Sequence, residues 1–135
     1  MSCKEKTVDA VVGNIDTITE FVNEQLEVND CPLKLQTQID IVIDEVFSNI
    51  AFYAYAPETG TATVRVEIAN SAVSLTFLDS GVPYDPLKRE DPDTTLGAEE
   101  RAIGGLGIFM VKKLASDVRY EYADGHNILT VVFSY

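Results

Sequence analysis

The chain has 135 residues, 46% of them hydrophobic, and a formal net charge of −12. That length suits one domain, residues 1–135, with a substantial core. The acidity speaks against direct binding to nucleic acid or to an anionic membrane, and any ligand phosphate needs local help from backbone amides, a helix end or a cation.

Met1 to Lys6 is charged and lacks an apolar signal core, and no apolar run reaches membrane-span length, so the cytoplasm is the expected compartment. Thr7 to Val12 mixes β-branched and polar residues and reads as an edge strand. Gly13 or Asn14 then caps a helix in which Ile15, Ile18, Val22 and Leu26 recur at helical spacing. Asp16, Glu20, Glu24, Glu27 and Asp30 lie between them, the pattern of a solvated face. Cys31-Pro32 breaks the chain. Cys3 and Cys31 are not at metal-ligand spacing and read as reduced thiols.

A second helix is expected from about Leu33 to Ala56, stopped by Pro57. At about 100° per residue, Ile39, Ile43, Val46 and Ile50 form an apolar stripe, widened by Val42. Glu45 and Asn49 sit one above the other at its shoulder, half inside and half facing something. Phe47, Phe52, Tyr53 and Tyr55 read as packing residues. Two alternating strands follow around an Asn70-Ser71 turn. Val64, Val66 and Ile68 share one face; Val73, Leu75, Phe77 and Asp79 share another. Asp79 therefore points to the apolar side, where a lone carboxylate is costly unless something donates to it.

Ser80 to Ile103 carries three of the five prolines and little periodicity, so it reads as a long functional loop. Gly104-Gly105-Leu106-Gly107 closes the loop and opens a helix over Ile108–Ser116, with Met110, Val111 and Leu114 inward. Strands over Asp117–Tyr122 and Ile128–Tyr135, joined at Asp124-Gly125, end the chain. The order β-α-α-β-β-loop-α-β-β gives an α/β two-layer sandwich. Its helices cover one face of a mixed, largely antiparallel sheet.

Three groups of residues can converge between the layers: Glu45 with Asn49, Asp79-Ser80-Gly81, and the glycine-rich helix entry. Glycines opening a helix let backbone N–H groups approach a phosphate. No Gly-Lys-Ser/Thr follows, so this is not a Walker A loop, and the third glycine of a Rossmann fingerprint is missing. Asp79 can accept from an amino group such as that of adenine, with Gly81 leaving room for a flat ring. Asn49 offers a hard amide oxygen suited to Mg²⁺, and Glu45 is placed to take a proton from an attacking hydroxyl. His126, the single histidine, excludes a His-rich metal site.

In these residues the chain resembles the GHKL (Bergerat-fold) ATPases, and within them the small anti-sigma-factor serine/threonine kinases. Asp44-Glu45-Val46-Phe47-Ser48-Asn49 matches the N box. Asp79-Ser80-Gly81-Val82-Pro83-Tyr84-Asp85 matches the G1 box, and Gly104-Gly105-Leu106-Gly107-Ile108-Phe109-Met110-Val111 the G2 box. The resemblance implies ATP and Mg²⁺ as cofactors. Asn49 is then the metal ligand and Glu45 the catalytic base, and Asp79 and Gly81 form the adenine site. Gly105, Leu106 and Gly107 lie at the phosphates, and an ATP lid spans about residues 80–103. Thr130 on the last strand is a further nucleotide candidate. Arg101, Lys88 and Arg89 are candidate lid cations, with Arg101 named as catalytic. The implied substrate is an anti-anti-sigma protein of the STAS type, the implied second partner a sigma factor, and the implied assembly a homodimer. The competing reading is a non-catalytic switch that binds ATP and sequesters a partner.

Overall fold

In the computed structural model, residues 2–55, 58–88 and 105–135 are described. Five strands, β1 (Ser2–Asp9), β2 (Thr61–Ala69), β3 (Ala72–Asp79), β4 (Asp117–Ala123) and β5 (His126–Ser134), form one sheet in the order β1-β2-β3-β5-β4. Helices α1 (Ile15–Val28), α2 (Leu33–Asn49) and α3 (Gly105–Leu114) cover one face of it. The four pairings are all antiparallel, so the sheet expected to be largely antiparallel is wholly so. Both tight hairpins turn through two residues of positive φ, Asn70-Ser71 and Asp124-Gly125. That geometry matches the natural twist of the strands it joins.

β1 begins earlier than its hydrophobicity suggests. Its eight residues pair with β2 from Ser2↔Ile68 to Asp9↔Thr61, while Val12–Asn14 is a 3₁₀ turn. Backbone pairing decides an edge strand, and polar side chains are tolerated there. The Glu5–Arg65 pair on its outer face, 3.1 Å apart, is exposed and contributes little.

α1 buries Ile18, Val22 and Leu26 and leaves its acidic residues in solvent. It ends at Asp30, whose φ is 55°. Cys31 N–H reaches back to the Leu26 carbonyl and Asp30 N–H to that of Glu27, at 2.9 and 3.1 Å. These are the paired bonds of a Schellman cap. Cys31 is buried, Cys3 is exposed on the edge, and both are free thiols.

α2 lies between α1 and α3 and buries Leu35, Ile39, Val42, Ile43, Val46 and Phe47. Opposite stand Val64, Val66, Val73, Leu75, Phe77, Val131 and Phe133, all buried. Each such side chain contributes about 1.5–3 kcal/mol on leaving water. The expected stripe of Ile39, Ile43, Val46 and Ile50 is thus the core face. The regular helix stops at Asn49, before the expected Ala56, and a π-helical turn follows over Ile50–Ala54. Phe52 and Tyr53, expected to pack, are more than half exposed. Met110 on α3 also points outward, while Ile108 and Val111 hold the core. Among the described residues, no helix is long and apolar enough to cross a membrane.

Candidate functional site

A cavity of about 550 Å³ opens between α2, α3 and the inner face of the sheet. Its size suits a cofactor-sized ligand. Val46, Ile50, Phe77, Ile108 and Leu129 give it apolar walls, and Val82, Pro83 and Tyr84 close one side. Asn49 and Tyr53 reach it from α2 and the π turn, and Asp79 and Asn127 from adjacent strands.

Helix α2 widens as it reaches this cavity. No glycine or proline lies in Ile50–Ala54, so the cause is tertiary. The Ala54 carbonyl accepts from Val82 N–H at 2.9 Å. The Tyr55 hydroxyl donates to the Thr61 carbonyl at 2.6 Å and accepts from Ser80 N–H at 2.7 Å. The turn is therefore fastened to the ends of β2 and β3. Single π turns recur at functional sites for this kind of re-aiming.

Asp79 is only 7% exposed, at the end of β3. Its Oδ1 accepts from Gly81 N–H and from Asn127 Nδ2, each at 2.9 Å. Neither bond uses Oδ2, so the cavity holds a buried carboxylate with an acceptor to offer. An apolar slot with one such acceptor suits a flat ring carrying an N–H group.

Glu45 and Asn49 lie one turn apart on α2, and Asn49 lines the cavity. The Glu45 carboxylate lies against Gly107 on α3: a Cβ at Gly107 would stand 2.2 Å from Glu45 Oε2. Glycine at this position therefore makes room for the carboxylate. Burial, reinforced by the neighbouring Asp44 charge, pushes the Glu45 carboxyl above its ordinary pKa. A weaker acid is a better proton acceptor near neutral pH. Among the described residues, no group of three or more His, Cys, Asp or Glu can hold a metal ion. Asn49 would be the side chain to hold a Mg²⁺ ion here, its amide oxygen being a hard donor, with ligand phosphates supplying further oxygens.

The structure thus brings Asn49 and Asp79 to the cavity wall and sets Glu45 against Gly107, the residue before the cavity-lining Ile108, with Gly105 at the start of the same helix. Gly81 serves differently from expectation. A Cβ there would meet the Ala54 carbonyl oxygen at 2.2 Å, so its bareness admits the π turn, and Val82 to Tyr84 form the wall instead. Thr130 stands on the other face of the sheet. It pairs with Thr76, while the inward partners are Phe77↔Leu129 and Asp79↔Asn127. Arg101, Arg89, Gly104 and most of the lid, residues 89–104, lie outside the described residues, as do the side chains of Lys88 and Leu106. Asn127, Tyr120 and Tyr55 were missed. A polar residue two places after Asp124-Gly125 was the one available sign of Asn127.

A family described as the histidine kinase-like ATPase domain matches residues 8–133. The serine/threonine-protein kinase BtrW of Bordetella bronchiseptica is 25% identical over 134 residues, 97% of this chain and 94% of its own length. The serine-protein kinase RsbW of Listeria monocytogenes is 28% identical over 96 residues, 67% of this chain. That match spans 61% of the Listeria protein. Among solved structures, the RsbU and RsbW domains of Rv1364c from Mycobacterium tuberculosis align over 99% of this chain with a TM-score of 0.70. That alignment covers 32% of the mycobacterial chain at 17% identity, so it speaks for the fold alone. With the family match running from β1 to β5, the chain belongs to the histidine kinase-like ATPase domain family.

Proposed function

We propose that the chain binds Mg-ATP and transfers the γ-phosphoryl group to a serine or threonine of an anti-anti-sigma protein of the STAS type. By this transfer it regulates a sigma factor that it otherwise holds inactive. The observation that carries the reading is a cavity whose wall holds the buried acceptor Asp79 together with Asn49, with the Glu45 carboxylate set against Gly107 in the first turn of α3. The kinase names of the Bordetella and Listeria relatives support the reading.

Adenine lies between the apolar walls, with Asp79 accepting from its amino group. The phosphates run toward the N-terminus of α3, where unpaired backbone N–H groups and the helix dipole favour negative charge. This local field offsets the overall charge of −12. Asn49 supplies an oxygen to Mg²⁺, which when bound neutralises phosphate charge. Glu45 takes the proton of the attacking hydroxyl as a new O–P bond forms and the bond from the γ-phosphorus to the bridging oxygen breaks, leaving ADP. In this reading the role of ATP lid is assigned to about residues 80–103 and that of the cation expected at transfer to Arg101. The working compartment is the cytoplasm, and the working unit a homodimer.

The test is incubation with Mg-ATP and the STAS-type partner, followed by phosphosite mapping. Phosphoserine or phosphothreonine that disappears with Glu45→Gln is the expected result. ATP binding with no transfer leaves a nucleotide-dependent switch that only sequesters its partner. If Mg-ATP causes no thermal shift, nucleotide binding itself is refuted.

A further inference from the structure

Asn127 is 7% exposed, and its short side chain ties together four segments. Nδ2 donates to Asp79 Oδ1 and to the Val82 carbonyl, both at 2.9 Å. Oδ1 accepts from Tyr84 N–H at 3.1 Å and from the Tyr120 hydroxyl. Two donors and two acceptor sites are the whole capacity of a primary amide, so Asn127 is fully engaged. Its orientation is dictated by chemistry: a carboxylate can only accept, so the NH₂ group must face Asp79. Burial pushes the Tyr120 phenol above its ordinary pKa, which keeps the hydroxyl a donor.

We propose that Asn127 is a positioning residue for base selectivity: by holding Asp79 Oδ1 and the Val82–Tyr84 wall, it presents Asp79 Oδ2 to the ring in one fixed direction. The inference rests on the reading of Asp79 as the acceptor for adenine and deepens it. The terminal torsion of an aspartate is broad, so an untethered carboxylate rotates and offers either oxygen. Here Gly81 N–H and Asn127 Nδ2 both bind Oδ1, and that pair sets the plane of the group. The register Asp79↔Asn127 places the two residues directly opposite on neighbouring strands. The same amide joins the loop wall to the strand end, so the slot already has its width before a ring enters. Selectivity built this way costs no ordering on binding. A hydroxyl side chain has one donor and cannot hold the carboxylate and the loop carbonyl together.

The readout is a ratio. Dissociation constants for ATP and for purine riboside triphosphate, which lacks the amino group, are measured by calorimetry. The proteins are the wild type, Asn127→Ser, Asn127→Asp and Asp79→Asn, each first shown to unfold cooperatively without nucleotide. The wild type is expected to favour ATP at least about tenfold, the value of one hydrogen bond to a charged group. Asn127→Ser and Asn127→Asp are expected to bring the ratio close to that of Asp79→Asn, with purine riboside triphosphate affinity changed less than about threefold. Asn127→Asp keeps the shape and has at most one proton to donate; should it fail to fold, Asn127→Ser carries the comparison. If both ligands weaken equally and the wild-type ratio survives, Asn127 is merely structural and the proposal is overturned. If the wild type itself does not discriminate, the reading of Asp79 fails and this proposal falls with it.

Discussion

Replacing Gly107 with alanine separates stability from phosphoryl transfer. The added Cβ comes within 2.2 Å of Glu45 Oε2 and 3.0 Å of its Cδ. These atoms are the far end of a side chain, so the helix stays in place and the carboxylate yields. Reaching an ordinary contact requires it to move by roughly 1 Å. Alanine is favoured over glycine inside a helix by up to about 1 kcal/mol, which offsets the strain, so Tm should hold within a few degrees. The backbone N–H at position 107 is retained. A misplacement of about 1 Å costs a positioned group about 100-fold in rate. Single-turnover transfer to the STAS-type partner at saturating Mg-ATP should therefore fall about 100-fold, with ATP affinity changed only a few-fold. Undiminished transfer in a well-folded Gly107→Ala protein would refute Glu45 as the base from this position. A collapse in Tm would show that the carboxylate is not free to yield.

The pH profile of transfer follows from the same residue. As the proposed base Glu45 acts deprotonated, and its pKa is raised by burial and by Asp44, so the rate should rise with pH and be lost as pH falls through a value above the group's ordinary one. Activity persisting unchanged well below the ordinary glutamate pKa contradicts the assignment. On the opposite side of α2, Asp40 Oδ1 accepts from Asn23 Nδ2 at 3.0 Å, while Asn23 Oδ1 is buried without a partner. Burial raises the Asp40 pKa above its unfolded value, so its ionised form carries a penalty at neutral pH. Asp40→Asn removes that charge and adds a donor, and should stabilise by about 1 kcal/mol in thermal melts at pH 7. The gain should vanish as pH falls below 3.8, where Asp40 is protonated in both states. Gly81→Ala drives a methyl into the Ala54 carbonyl, which is backbone and cannot step aside. It should cost about 2 kcal/mol and lower Tm by roughly 5–10 °C; a melt matching the wild type would contradict the close approach.

What could be read in advance followed the clarity of the side-chain alternation. In β3, apolar and polar residues alternate cleanly from Val73 to Phe77, so the inward direction of Asp79 was legible from parity alone. In β5, Ile128 and Val132 on the outer face are as apolar as Leu129 and Val131 on the inner one. That double-sided pattern hid Asn127 and made Thr130 a candidate. The π turn was illegible for another reason: nothing in Ile50–Ala54 breaks a helix, and its ties, Val82 N–H and the Tyr55 bonds, come from strands and loops far along the chain.

The sequence by itself determined the layers, the core stripe of α2, the hairpin turns and the inward direction of Asp79. These are local matters of period, turn chemistry and parity, and each is written in a few consecutive residues. Only the tertiary structure decided what each group faces. It set the Glu45 carboxylate against Gly107, turned the bareness of Gly81 toward Ala54, and closed four hydrogen bonds on Asn127. Those contacts join residues distant in sequence, and their geometry depends on how helices and strands pack, which no single segment encodes.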